Sequence, residues 1–297
     1  MQTSLLIAIL AGLGVMLGWG VADFAAKKTI DQIGDLPALI LAHFCGGVIA
    51  VLSLVGFIAV RGTAGLPHSA LTWLGLIGFG ILQGIVYLLV YRAFSKGKVS
   101  ILNPIFASYS GVTALAVVIF FGEPLGALRG VALVLIFASV LTLSAEDSPV
   151  SWRKLRFGKT GGLREIMLAT LLAAVWTVGW DRFVHGHSWF AYAVLMYVAM
   201  AVALGIFAVA RRTNLQVERE DVWPFLALIG LGEVGAYISI SLGFGRTAHA
   251  AIVVLLGGAF SVPALILARF FLGERINRYQ FSAIIVIIVG VILIALA

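Results

Sequence analysis

A chain of 297 residues has the length of one large or two modest soluble domains, yet 62% of it is hydrophobic and only 11% charged, with a mean hydropathy of +1.11. A soluble chain carries about 25% charge, so this composition belongs to an integral membrane protein; ten crossings of about 20 residues each leave no room for a separate soluble domain. The 20 Lys and Arg exceed the 13 Asp and Glu, but they sit between apolar runs, where they meet lipid headgroups and orient the chain, so membrane lipids and not nucleic acid are the expected partners.

The first apolar run, 4–26, follows a start that lacks a basic region or small-residue cleavage site, and a retained helix is expected rather than a signal peptide. Gly14 and Gly18 stand at close-packing spacing in it, and Trp19 and Asp23 share a face. Asp23 either carries charge to a cavity mouth or pairs with Lys27, four residues on. The second run, 36–60, holds a lone His43 and Cys45, the only cysteine, so no internal disulfide forms. The third, 69–93, sets Gln83, Tyr87 and Tyr91 on one i, i+4 face. An amide and hydroxyls there give directional contacts while the rings suit hydrocarbon, a combination fit for an amphipathic or zwitterionic ligand or for a structural network.

The fourth run, 99–121, begins at Asn103-Pro104, where the missing backbone donor opens the carbonyl ladder and marks a pocket, a hinge or a plain bend. A tight join at Gly122-Glu123-Pro124 leads to the fifth, 126–144. The polar stretch 145–163, with Arg153, Lys154, Arg156 and Lys159, is the one segment long enough for a linker, and it divides 1–144 from 164–297. In the sixth run, 164–183, Trp176 and Trp180 stand four apart before Asp181-Arg182, lining a cavity or anchoring at an interface.

The seventh run covers 188–210. The eighth, 222–245, holds Glu233 near its middle, on a face with Tyr237 and Ser241 and one turn after Gly230. A carboxylate inside a bilayer turns into the bundle or an aqueous cavity, where it binds a polar solute, carries a proton or bonds a neighbouring helix. The ninth run, 247–270, contains His249, Gly257-Gly258, Ser261 and Pro263, and the tenth spans 278–296.

The two halves resemble each other. Phe121-Gly122-Glu123-Pro124 precedes run five and Leu272-Gly273-Glu274-Arg275 precedes run ten, 151 residues later; the same offset pairs Ser110 with Ser261 and Gly84 with Gly235. Because five is odd, two copies in series enter the membrane from opposite sides, which predicts an all-α fold of ten transmembrane helices in a five-plus-five inverted-topology repeat. The odd-numbered joins carry sixteen Lys and Arg and the even-numbered ones four, so the linker is expected in the cytoplasm and both termini outside.

The histidines form no metal constellation, and the sequence holds no zinc-protease motif, phosphate loop or nucleophile elbow, so neither metal, cofactor nor catalytic residue is expected. A membrane-embedded enzyme or a lipid-binding protein is the alternative outside transport.

Gly18-Trp19-Gly20-Val21-Ala22-Asp23-Phe24, the stretch from Tyr91 through Ser100, Asn103-Pro104 and the two Gly-Glu motifs resemble the drug/metabolite transporter superfamily, in particular its members with two EamA-type repeats. The resemblance covers nearly the whole chain. It implies ten helices, a central substrate cavity and alternating access without ATP, with small metabolites or drugs as solutes. Val254-Leu255 stands where the repeat offset asks for a second Asn-Pro, so any helix break is asymmetric. Some ten-helix relatives keep both termini in the cytoplasm, opposite to the charge count.

The combined expectation is a secondary transporter of a small metabolite or amphipathic solute in the cell membrane, the inner one where there are two, as a monomer or homodimer. Trp19, Gln83, Tyr87, Asn103, Trp176, Trp180 and Tyr237 are the expected substrate contacts, and Glu233 and Asp23 the candidate proton-coupling groups. Facilitated diffusion or exchange on the same fold is the alternative within transport.

Overall fold

The computed structural model describes residues 2–96, 102, 105–122, 126–143, 162–217, 219–271 and 278–296. Among the described residues the regular structure is helical throughout. Helices α1 (Gln2–Ile33) and α2 (Asp35–Arg61) are separated by Gly34 alone, whose φ of 86° reverses the chain in a conformation that a side chain would strain. Helix α1 continues past the end of the apolar run at 26, because its backbone bonds are made internally whether the side chains are apolar or, like Lys27, Lys28 and Asp31, charged.

Helices α3 (Ala70–Lys96), α4 (Tyr109–Phe121), α5 (Ala127–Leu143), α6 (Leu163–Val184) and α7 (Trp189–Ala210) follow. A single tight turn at Glu220–Val222 opens α8 (Trp223–Arg246), which starts on Pro224, a residue suited to a first turn because its missing N–H has no partner there anyway. Helices α9 (Ala250–Gly258), α10 (Ser261–Phe271) and α11 (Arg278–Leu296) complete the chain.

Seven described stretches are long and apolar enough to cross a membrane: α1, α2, α3, α6, α7, α8 with its opening turn, and α9 with α10. Shorter apolar helical stretches cover Ile105–Phe120, Gly130–Ser139 and Phe281–Gly290. The ninth apolar run is thus one crossing made of two helices. Pro263 has no N–H to give to the Ala259 carbonyl, which accepts instead from Val262 N at 2.9 Å, and the break falls directly after Gly257-Gly258. Glu123, Glu274, Asn103, Pro104 and all but the last two residues of the 145–163 linker lie outside the described residues.

Helix α1 lies along α8 and against α9 and α10; α3 packs on α6 and α7, α2 on α7 and α8, α4 on α6 and α9, and α5 on α11. The α1–α8 approach depends on Gly18, where a Cβ would stand 2.5 Å from the Gly232 carbonyl oxygen. The polarity of a soluble protein is reversed: Leu52, Val60, Phe120, Val209 and Phe270 face outward, while His43, Gln83, Asp181 and Glu233 are buried. An apolar exterior around a polar interior is what lipid on the outside requires, and the chain is a multi-pass membrane protein.

Candidate functional site

The site grows from one close helix crossing. A Cβ on Gly230 of α8 would stand 2.8 Å from Cα of Gly46 on α2, so only glycine at these positions lets the two backbones meet. One turn before Gly46 is His43, and one turn after Gly230 is Glu233; the crossing therefore puts imidazole and carboxylate together in the bundle interior. His43 is fully buried and Glu233 is 2% exposed. His43 Nε2 lies 3.0 Å from Glu233 Oε2, a contact of ion-pair length whose angle falls short of a straight hydrogen bond.

Two further interactions hold this pair. His43 Nδ1 donates to the Leu39 carbonyl at 2.8 Å, one turn back on its own helix, which fixes the ring. From α7, the Tyr197 hydroxyl donates to Glu233 Oε2 at 2.9 Å, and the Tyr197 ring stacks on His43 with planes 8° apart. Tyr197 is fully buried. Like Tyr109, it is a site residue that the sequence reading missed, and His43 was read there only as a lone polar residue. The signal for Tyr197 was a tyrosine near the middle of an apolar run, away from the interfacial positions that tyrosines favour.

The third apolar face converges on the same place. Tyr87 packs against His43 with ring centres 4.8 Å apart, and the Tyr87 and Tyr237 hydroxyls are 3.2 Å apart. Gln83 is buried one turn before Tyr87, and its Oε1 has no partner among the described residues. The expected stripe of Glu233, Tyr237 and Ser241 thus faces inward along its whole length, each member bonded to another helix.

Trp19 stands edge-on to Tyr109, Tyr237 and Phe260, at centre distances of 6.3, 5.8 and 6.3 Å, and its Nε1 has no described partner. The Tyr91 and Tyr109 hydroxyls are likewise buried without one. Asp23, half-buried one turn beyond Trp19, is near enough to Glu233 for the two charges to be felt. These groups are acidic or neutral donors and acceptors set among aromatic rings, an environment that binds a small solute carrying both polar and apolar parts.

Trp176 and Trp180 differ. They stack at 5.5 Å in the core, and each uses its indole N–H within the protein, Trp176 on the Phe79 carbonyl at 3.1 Å and Trp180 on Ser241 Oγ at 2.9 Å. They form a wall whose polar ends are already engaged, and Trp176 meets Tyr237 edge-on at 5.6 Å. Asn103 lies outside the described residues. Among the described residues no group of three or more His, Cys, Asp or Glu side chains is arranged to hold a metal.

With this geometry in place, comparison with known proteins is informative. The family described as the EamA-like transporter family matches the chain twice, over residues 6–145 and again over 162–296. A search of curated proteins found no match. Among solved structures, a protein crystal structure superposes with a TM-score of 0.76 over 96% of this chain and 95% of its own, at 16% sequence identity, a likeness of fold alone.

Proposed function

We propose that this chain, which belongs to the EamA-like transporter family, is a proton-coupled secondary transporter of a small amphipathic solute, working by alternating access between two inverted five-helix halves. The observation that carries the coupling is Glu233: a carboxyl 2% exposed at the meeting of α2, α7 and α8, bonded by Tyr197 and faced by His43. A lone buried charge is expensive in a bilayer, so an acid placed and partnered in this way suits a group that takes up and releases a proton as access changes sides.

Helix packing supports the inverted arrangement. If the first to fifth helices are exchanged with their counterparts in the second half, α1 against α8 becomes α6 against α3, and α2 against α8 becomes α7 against α3; both partners of each exchange are present. The contacts α2 with α7, α4 with α9 and α5 with α11 map onto themselves. The two matched segments support the same division, with 1–144 and 164–297 as the halves and 145–163 between them. Alternating access on this plan is a rocking of one half on the other around Trp19, Gln83, Tyr87 and Tyr237, with Asp23 toward one mouth and Asn103 as a further contact.

Purified protein in liposomes, assayed against a broad solute panel with internal pH recorded together with flux, tests the proposal. Saturable movement driven by a pH gradient is expected, and Glu233→Gln should lose that drive while keeping solute exchange. Gradient-driven flux unchanged in Glu233→Gln would overturn the coupling role, and saturable flux indifferent to pH in the native protein would make the chain a uniporter.

A further inference from the structure

We infer that His43 and Glu233 hold one coupling proton between them, so that the carrier is the imidazole–carboxyl pair and not the acid alone; this rests on the proton coupling proposed above. His43 Nδ1 lies 2.8 Å from the Leu39 carbonyl oxygen, which can only accept, so Nδ1 carries a hydrogen in every protonation state compatible with this geometry. Nε2 is therefore the ring atom that gains or loses a proton, and it is the atom 3.0 Å from Glu233 Oε2. His43 Nε2 has no other partner among the described residues, and a proton held by either group makes the pair neutral and lowers the cost of burying it in a dry interior.

The proton inventory then closes. With the shared proton present, on nitrogen or on oxygen, the pair is neutral overall; when it leaves for the aqueous path, a neutral imidazole and one carboxylate remain. Tyr197 serves the second state, since its hydroxyl already donates to the same Oε2 at 2.9 Å, and its ring stacks on the imidazole.

Titratable groups face the pair from four helices. They are Asp23 from α1, Tyr87 and Tyr91 from α3, Tyr197 from α7 and Tyr237 from α8 itself. The tyrosines are donors at ordinary pH, and Asp23 is a second acid within range of the pair. Helix α9 has no titratable residue. Helix α6 carries its charges at its ends, where Asp181 pairs with Arg182 at 3.3 Å.

The test reads protons and needs no solute. Full-length protein in which His68, His185, His187 and His249 are replaced by glutamine retains His43 as its sole imidazole. Labelled with ¹⁵N-histidine and ¹³C-glutamate in lipid bilayers, it is titrated by NMR, with the Glu233 carboxyl identified by its loss in Glu233→Gln, or by its displacement in Glu233→Asp should the glutamine variant not fold. We expect Nδ1 to keep its hydrogen throughout, and Nε2 and the Glu233 carboxyl to change together at one pH, as coupled sites do. In Glu233→Gln the Nε2 step should move by more than about one pH unit or vanish. Nδ1 losing its hydrogen in place of Nε2, two steps separated by more than about one unit, or an Nε2 step unmoved in Glu233→Gln would each overturn the shared proton. None of these outcomes involves flux, so the transport assignment stands or falls separately in the liposome assay.

Discussion

Tyr197→Phe removes a single oxygen from the centre of the site and leaves each ring contact in place, including the stack on His43 at 5.9 Å and the edge contact to Tyr237 at 5.7 Å. What is lost is the 2.9 Å hydrogen bond to Glu233 Oε2. Bonds to charged groups contribute about 1.5–3 kcal/mol in soluble proteins, and bonds between membrane helices average about 0.6 with about 1.7 as the upper end. A bond to a buried carboxylate between α7 and α8 combines the two cases, so about 1 kcal/mol is expected. The hydroxyl is a donor, and without it Glu233 Oε2 loses one of the two groups that face it. That loss should lower the stability of the folded bundle by about 1 kcal/mol. Thermal unfolding of the purified native and variant protein provides the readout. A melting temperature equal to or above that of the native protein would refute the assignment of Tyr197 as a donor to Glu233.

Three other outcomes follow from the same geometry. Ser241→Ala leaves the buried Trp180 N–H without its 2.9 Å partner, which should lower stability by about 1–2 kcal/mol in thermal unfolding of the purified protein, and Trp180→Phe added to it should cost less than it does alone. Gly18→Ala places a Cβ 2.5 Å from the Gly232 oxygen and 2.9 Å from the Ala236 Cβ, forcing α1 and α8 apart at about 1–3 kcal/mol, whereas Gly56→Ala, with nothing within 4 Å, should leave the melting temperature unchanged or raised. With Cys45 replaced, a single cysteine introduced at position 156 should label only after the cells are opened, and cysteines near the two termini should label in intact cells; the reverse pattern would invert the orientation read from the basic residues.

The helices were legible in the sequence because hydrocarbon imposes its requirement on every residue of a crossing, and charge or glycine breaks the pattern at nearly every join. Glu233 stood out for the same reason, and helical spacing correctly set Tyr237 and Ser241 beside it. What spacing cannot give is which helices meet. Gly46 and Gly230 each look like ordinary packing glycines; only their encounter brings His43 to Glu233, and no periodicity within either run announces it. His43 accordingly read as a lone polar residue, and Tyr197 was passed over. Trp176 and Trp180 are a different case: aromatic residues four apart look available to a ligand, and the engagement of their indole N–H groups with Phe79 and Ser241 is visible only once α3 and α8 are in place. The break in the ninth run could be read from Pro263 and the glycine pair, but hydropathy stays high across it and hides the turn.

The correspondence between halves that suggests the repeat covers packing positions and leaves the carboxyl of the site out. Residues matched at an offset of 151, such as Gly84 with Gly235, are those that packing needs in both copies. At that offset Glu233 corresponds to Leu82, so the carboxyl belongs to one half alone. The asymmetry has a physical basis. Two acids facing each other across the centre of the proposed inverted repeat would each need a partner, and their repulsion would be strongest in the low dielectric where both must sit. A single acid needs one set of partners, here an imidazole from α2 and a hydroxyl from α7, each from a different half of the chain. On the proposed mechanism that division matters, since rocking one half on the other displaces α2 relative to α7 and α8. Glu233 then keeps Tyr197, from its own half, while its distance to His43 changes. On that mechanism a proton held between residues of the two halves would be bound and released by the motion itself, which an acid partnered entirely within one half would not achieve.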